Sequence, residues 1–211
     1  MISVIMATFN RETLLPRAIE SVLAQDSRDW ELVVVDDGST DRTRELIEKY
    51  MSRDGRISYF HQANAGLSAA RNAGIARSTG ELVTFLDSDD EYRPRHLSLR
   101  EVFMRDNPQV DMIHGGLEIV GGSDTVPDRN NPGKLIAIAD CIVGGTFFAR
   151  RRVFQLVGGF RKPDFGNDYD FMQRAMPLVR VEKVSFPTYV YHREAPDSMC
   201  NLMKKSSLGT S

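Results

Sequence analysis

Glu81-Leu82-Val83-Thr84-Phe85-Leu86, running without a linker into Asp87-Ser88-Asp89-Asp90, is the stretch that decides the fold class of this chain. A short apolar run that suits a buried strand ends in a turn carrying three carboxylates. Adjacent acids repel one another unless a cation or hydrogen-bond donors compensate. In open α/β sheets the carboxyl ends of parallel strands are also where ligands bind. A divalent metal holding a diphosphate is the economical explanation, because magnesium-like ions take one or two protein carboxylates plus substrate phosphates. The competing explanation, solvated turn residues and helix caps, suits Asp41 and Asp90 taken alone better than Asp87 and Asp89 together.

Outward from this turn, the preceding residues alternate β-prone runs with helical periodicity, the pattern of βαβ units and a mainly parallel sheet. Ile2 to Ala7 reads as a buried strand. Leu14, Leu15, Ala18, Ile19, Val22 and Leu23 recur at helical spacing, which predicts an amphipathic helix over Glu12 to Gln25 with Pro16 in its first turn. The strand Glu31 to Asp36 ends on a second acidic pair, Asp36 and Asp37. A helix is predicted over Asp41 to Ser52, with Ser39 or Thr40 as N-cap and Asp41 beside the positive end of the helix dipole. Ile57 to Phe60 is a third strand. Gly66 to Ser78 is helical and stops at Gly80, where a left-handed C-cap costs glycine little. After the acidic turn, Pro94 opens a helix reaching Arg105. Val110 to Val120 is strand-like, Gly121 to Lys134 is a polar loop, and Thr146 to Ala149 is another strand. Short helices near Arg151 to Val157 and Asp168 to Met176 precede strands around Val179 to Val184 and Thr188 to His192. The polar residues from Lys204 are expected to fray.

The chain has 211 residues and a formal net charge of −2, so it suits one domain and carries no excess of basic charge. A nucleic-acid partner is therefore not expected. Its apolar stretches fall well short of the roughly 20 residues of a membrane span, which leaves peripheral membrane association as the only membrane role. No leader-like segment opens the chain, and the expected compartment is the cytoplasm. Cys141 and Cys200 lack the close spacing of zinc or redox pairs.

Several chemistries fail on spacing. Tyr92 and Ser98 stand where a calcium loop starting at Asp87 needs glycine and glutamate. Thr8-Phe9-Asn10-Arg11 lacks dinucleotide-binding glycines, Gly116 to Ser123 lacks the lysine of a phosphate loop, and no serine sits in a nucleophile elbow.

The residues do resemble a known family. Ser3 to Arg11, Asp36-Asp37-Gly38-Ser39-Thr40-Asp41, Gly66-Leu67-Ser68-Ala69-Ala70-Arg71-Asn72 and Phe85 to Asp90 look like family-2 inverting glycosyltransferases of the GT-A fold. Val157-Gly158-Gly159-Phe160, Asn167-Asp168-Tyr169-Asp170 and Tyr191-His192 continue the match in the same order, over nearly the whole chain. The resemblance implies one α/β domain with a mainly parallel central sheet flanked by helices. Residues 1–114 would form the half that binds the nucleotide-sugar donor, 115–203 the acceptor half, and 204–211 a flexible tail.

It also implies roles by position. Thr8 and Phe9 would line the nucleobase pocket, Phe9 as an apolar or stacking wall, and Asp37 would accept the imide N–H of a uracil. Where the family often has Pro-Thr-Tyr this chain has Ala7-Thr8-Phe9, which removes a phenol hydroxyl. Asp87 would reach the ribose or the metal, with Ser88 beside the donor. Arg71 and Asn72 would pack next to the donor site, partnership with the acids being the alternative role for Arg71. Asp89 would ligate Mn²⁺ or Mg²⁺, with His192 as a further ligand that favours manganese. Asp168 would be the general base, helix capping being its alternative role. Asn167 precedes it where the family commonly has glutamate. The loop Arg193 to Met199 stands where it would close over the diphosphate, and Gly158 and Gly159 would turn the backbone beside the acceptor cleft. The implied reaction moves a sugar from a nucleoside-diphosphate sugar, by the family's habit a UDP-sugar, to a hydroxyl of a saccharide or lipid-linked acceptor, as in polysaccharide biosynthesis. The rivals are a nucleotidyltransferase making sugar nucleotides, which would want a basic glycine-rich loop after the first strand, and a non-catalytic nucleotide- or saccharide-binding module.

Overall fold

Ile2–Thr8 forms strand β1, buried along almost its whole length as a strand covered on both faces of a parallel sheet must be. Helix α1 (Leu15–Leu23) follows, with Pro16 at its start and Leu15, Ala18, Ile19 and Val22 on its buried side. Then come β2 (Trp30–Asp36), α2 (Thr43–Arg53), β3 (Ile57–His61), α3 (Leu67–Arg77) and β4 (Leu82–Phe85). Beyond the acidic turn lie β5 (Glu91–Tyr92), α4 (His96–Asp106), β6 (Met112–His114), β7 (Leu117–Val120), β8 (Thr125–Asp128) and β9 (Asn131–Ala137). Two 3-10 turns, Ile138–Asp140 and Gly144–Thr146, precede β10 (Phe148–Arg150), α5 (Arg152–Val157), α6 (Asn167–Ala175), β11 (Val181–Lys183) and β12 (Tyr189–His192). The computed structural model describes residues 1–128, 131–162 and 166–193; the expected tail from Lys204 lies outside them.

The main sheet has seven strands in the order β11-β6-β10-β4-β1-β2-β3. Its neighbours are parallel except at β10, which runs antiparallel to both β4 and β6. From β1 the chain steps outward to β2 and β3, then returns to place β4 on the other side of β1. The strand order therefore reverses between β1 and β4, and a crevice opens at their carboxyl ends. Thr8, Asp37 and Asp87 follow or end the strands at this edge. Alternate residues serve the two faces: Val4, Met6, Leu32 and Val34 join α1 in one core cluster, while Ile5, Val83 and Phe85 join Phe147, Phe154, Phe160 and Phe171 in another. Each buried ring contributes on the order of 1.5–3 kcal/mol, and Phe85 meets Phe160 edge-on at 5.3 Å.

A second sheet, β5-β12-β7, sits beyond the acidic turn, with β12 antiparallel to β5 and parallel to β7. The expected continuous strand from Val110 to Val120 is broken at Gly115 and Gly116, whose φ angles of 89° and 70° send β6 into the main sheet and β7 into the second. The expected polar loop Gly121 to Lys134 contains most of a β-hairpin, in which Val126 pairs with Ile136 and Pro127 with Leu135. Helix α2 starts at Thr43 rather than Asp41. Ser39 and Thr40 hydrogen-bond Asn10 instead of capping it, and the Asp41 carboxylate accepts the Thr43 N–H at 3.0 Å. Gly80 is not a left-handed cap either: α3 ends on extended Ser78, and a Cβ at Gly80 would stand 2.8 Å from the Met1 carbonyl and the Ser3 N. Close approach to β1 is what requires glycine there.

Gly116→Ala is expected to lower stability by about 1–3 kcal/mol, since φ is positive and the new Cβ would run into the Phe186 carbonyl. Denaturant unfolding would show this as a lower midpoint with an unchanged slope.

Candidate functional site

The crevice is a cavity of about 590 Å³, within the range of small-molecule sites. The end of β1 supplies Thr8 and the loop after it Phe9 and Arg11, the segment after β2 supplies Asp37, and the acidic turn supplies Asp87, Ser88 and Asp89. Arg71 comes from α3, Asp168 and Tyr169 from α6, and His192 from β12. Val126 and Ile136 of the hairpin add an apolar wall.

Phe9 is 45% exposed on the cavity wall, so it is not a core side chain and presents an apolar ring to a ligand. Thr8 is 3% exposed, and its hydroxyl is buried without a hydrogen-bond partner, a costly arrangement unless a ligand supplies one. The Asp37 carboxylate accepts Gln62 Nε2 at 2.7 Å, the Ala65 N–H at 3.0 Å and the Gly66 N–H at 2.8 Å. A carboxylate has about four acceptor positions, so one remains for a ligand N–H.

Arg71 is 4% exposed and donates to Asp87 Oδ1 at 2.8 Å, with the rings of Phe85 and Phe160 packed at 5.5 and 5.3 Å. Burial opposes its charge, but Asp87 and Asp168 override that and hold its pKa above the usual value. Asp168 accepts the Tyr169 N–H at 2.8 Å and the Gly144 N–H at 3.2 Å. Burial pushes its pKa up and Arg71 restrains the rise. Helix α6 is entered through Gly166 with φ 72°, so Asp168 lies inside the first turn rather than at the N-cap, where it holds the Tyr169 N–H and also reaches across to Gly144. A Cβ on Gly144 would lie 2.7 Å from Arg71 Nη1 and 3.1 Å from Asp168 Cβ. Glycine there lets Asp168 and the Arg71 cation share one pocket wall.

The acids of the turn are differently employed. Asp87 is paired with Arg71, and Asp90 is buried and accepts the Tyr189 hydroxyl at 2.6 Å and the His192 N–H at 2.8 Å. Asp89 and His192 both line the cavity, and His192 Nε2, buried, lies 3.5 Å from Glu91 Oε1. Burial, then repulsion from Asp89 and Asp87, raises the pKa of Asp90 well above the carboxylate range. Among the described residues no group of three His, Cys, Asp or Glu side chains is placed to hold a metal ion by itself. One carboxylate and one imidazole at an edge with excess negative charge nevertheless suit a divalent ion that completes its shell with phosphate oxygens.

Two expected residues stand apart. Asn72 does not line the cavity: its side chain accepts the Phe160 N–H at 2.8 Å and donates to the Phe160 carbonyl at 2.9 Å, latching α3 to the segment after α5. Arg193 is buried with its N–H on the Val120 carbonyl and is not on the cavity wall; residues 194–199 of the expected closing loop lie outside the described ones. The sequence alone points to no role for Tyr169 or Gly144, whereas the hairpin wall falls in the expected acceptor half. The Gly144-Gly145 pair was the one available signal, since adjacent glycines mark close backbone approach.

Residues 3–156 match the family described as glycosyl transferase family 2. This chain belongs to that family. An uncharacterised glycosyltransferase from Nostoc is 44% identical over 130 residues, which cover 61% of this chain and 40% of the relative. The first 349 residues of S. aureus TarS superpose with a TM-score of 0.76 at 25% identity, covering 90% of this chain and 60% of that one. A mannosyltransferase from Pyrobaculum calidifontis, solved with GDP-Man and Mn²⁺, shares the fold at a TM-score of 0.73 and 20% identity, covering 96% and 59% of the two chains. The family-2 chain thus spans less than two thirds of the length of these proteins. Its α/β sheet flanked by helices is the GT-A architecture. No helix among its described residues is long and apolar enough to cross a membrane.

Asn72→Ala removes two hydrogen bonds and exposes the Phe160 backbone to imperfect pairing, for an expected loss of about 1–3 kcal/mol. Chemical denaturation would measure it, and nucleotide affinity of the folded fraction is expected to stay within about twofold, the size of a neutral surface change of ±0.5 kcal/mol.

Proposed function

We propose that this family-2 member is a metal-dependent, inverting glycosyltransferase that moves a sugar from a UDP-sugar to a hydroxyl of a saccharide or lipid-linked acceptor. The observation that carries the proposal is the meeting, in one cavity, of a partly buried carboxylate at Asp168, Asp89 of the acidic turn, and the wall formed by Thr8, Phe9 and Asp37. Phe9 offers a face for a base, Asp37 keeps an acceptor position for an imide N–H, and the Thr8 hydroxyl lacks a partner that a ligand would give. S. aureus TarS has been solved with UDP-GlcNAc, which supports a uridine donor here.

Asp89 and His192 would hold Mn²⁺ or Mg²⁺ together with the diphosphate. The ion's contribution is to neutralise charge on the departing nucleoside diphosphate. Asp168 takes the proton from the acceptor hydroxyl as that oxygen attacks the anomeric carbon from the face opposite the leaving group. A single displacement inverts the centre. Burial makes Asp168 a stronger base than an exposed aspartate, while the neighbouring Arg71 cation opposes that rise and favours its ionised form. Arg71 also fixes Asp87, so the carboxylate nearest the strand end keeps a defined position.

The test is transfer from a panel of nucleotide sugars with and without Mn²⁺. Asp168→Asn is expected to lower kcat by about 10²- to 10⁴-fold while UDP binding by calorimetry is kept; an undiminished rate would remove Asp168 as the base. The acid limb of kcat/KM is expected above the ordinary aspartate value of 3.8. Arg71→Gln should move that limb to higher pH, because losing a neighbouring cation favours the protonated carboxyl. A shift to lower pH would contradict the assignment.

A further inference from the structure

The antiparallel pairing of β5 with β12 joins Tyr92 to Tyr189 and Glu91 to Val190. Continued by one step it would set Asp90 opposite Tyr191. In place of a further backbone pair, the Asp90 side chain takes over: it accepts the main-chain N–H of His192 at 2.8 Å and the phenol hydroxyl of Tyr189 at 2.6 Å. The same hydroxyl stands 3.4 Å from Asp87 Oδ2 and accepts the Asp87 N–H at 3.4 Å. Tyr189 therefore touches Asp87 and Asp90, which bracket Ser88 and Asp89, and Asp90 touches the backbone of His192.

The phenol has little freedom to do otherwise. Its ring is fully buried, packed edge-on to Tyr92 at 5.8 Å and tilted against His96 at 6.2 Å. Gly145 backs the hydroxyl so closely that a Cβ there would collide with it. Asp90 is 1% exposed, and a carboxylate so placed is tolerated only where donors converge on it. Both donors come from β12.

We propose that Asp90 and Tyr189 are a positioning pair that sets the spacing between Asp89 on the turn and His192 on β12, touching neither sugar nor nucleotide. The inference rests on the reading of Asp89 and His192 as metal-holding residues. Groups that orient metal-binding side chains in this way typically change metal affinity about 10- to 100-fold when removed.

The experiment is Mn²⁺ binding to the intact chain in the presence of saturating UDP, followed by the electron paramagnetic resonance signal of free Mn²⁺, beside calorimetry of UDP alone. Tyr189→Phe keeps the ring and deletes only the hydroxyl. It is expected to weaken Mn²⁺ by at least about tenfold, leave affinity for UDP alone unchanged, and raise the Mn²⁺ concentration needed for half-maximal turnover more than it lowers kcat at saturating metal. Asp90→Asn keeps an acceptor for the His192 N–H and is expected to lose less than Asp90→Ala; this pair decides the question if Tyr189→Phe does not fold. Equal Mn²⁺ affinity in wild type, Tyr189→Phe and Asp90→Ala would overturn the positioning role while leaving the metal site intact. Failure of the wild-type chain to bind Mn²⁺ with UDP would instead overturn the metal reading itself, and the inference with it.

Discussion

The buried guanidinium of Arg71 is the interaction on which the rest of the site depends. A charge with so little solvent is tolerated only when paired. Arg71 is paired on one side with Asp87 at the end of β4 and lies in the field of Asp168 at the start of α6. It thereby ties three elements that are remote in sequence: the helix that crosses from β3 to β4, the acidic turn, and the helix that brings the candidate base. Aromatic rings beneath it, Phe85 and Phe160, deny it water and make the pairing obligatory. The glycine at 144 is a corollary, because a side chain there would occupy the space the cation and Asp168 share.

How far this was legible from sequence divides along a physical line. The βαβ half was readable because each strand is a nearly continuous apolar run and each helix a periodic one, so local patterning and tertiary burial agree, as at Ile2–Thr8 and Leu15–Leu23. The acids at strand ends were readable for the same reason: once the strands are located, their carboxyl edge follows. The exposure of Phe9 on the cavity wall is not legible in the sequence, since a phenylalanine packed in a core and one facing a ligand are the same residue and differ only in exposure.

What stayed hidden depends on partners far along the chain or on short pairings with mixed composition. Nothing near Tyr189 announces that its hydroxyl meets Asp90, a residue 99 positions earlier. Strand β5 is two residues long and exists because β12 lies beside it. The hairpin was masked by Pro127, Gly133 and its charged residues, which read as loop although Val126 and Ile136 pair across it. Asn72 shows the opposite failure: its position in a motif pointed to a ligand contact, whereas its amide is taken up by the Phe160 backbone.

The hairpin β8–β9 forms a sheet of its own, hydrogen-bonded to neither of the larger ones, yet Val126 and Ile136 line the cavity. Its strands enter and leave from connections rather than from the main sheet. Such an arrangement uncouples the wall of the site from the framework that folds it. Residues there can be exchanged in kind, length and charge while the ladder from β11 to β3 is untouched, so the chain can change what it accommodates without renegotiating how it folds.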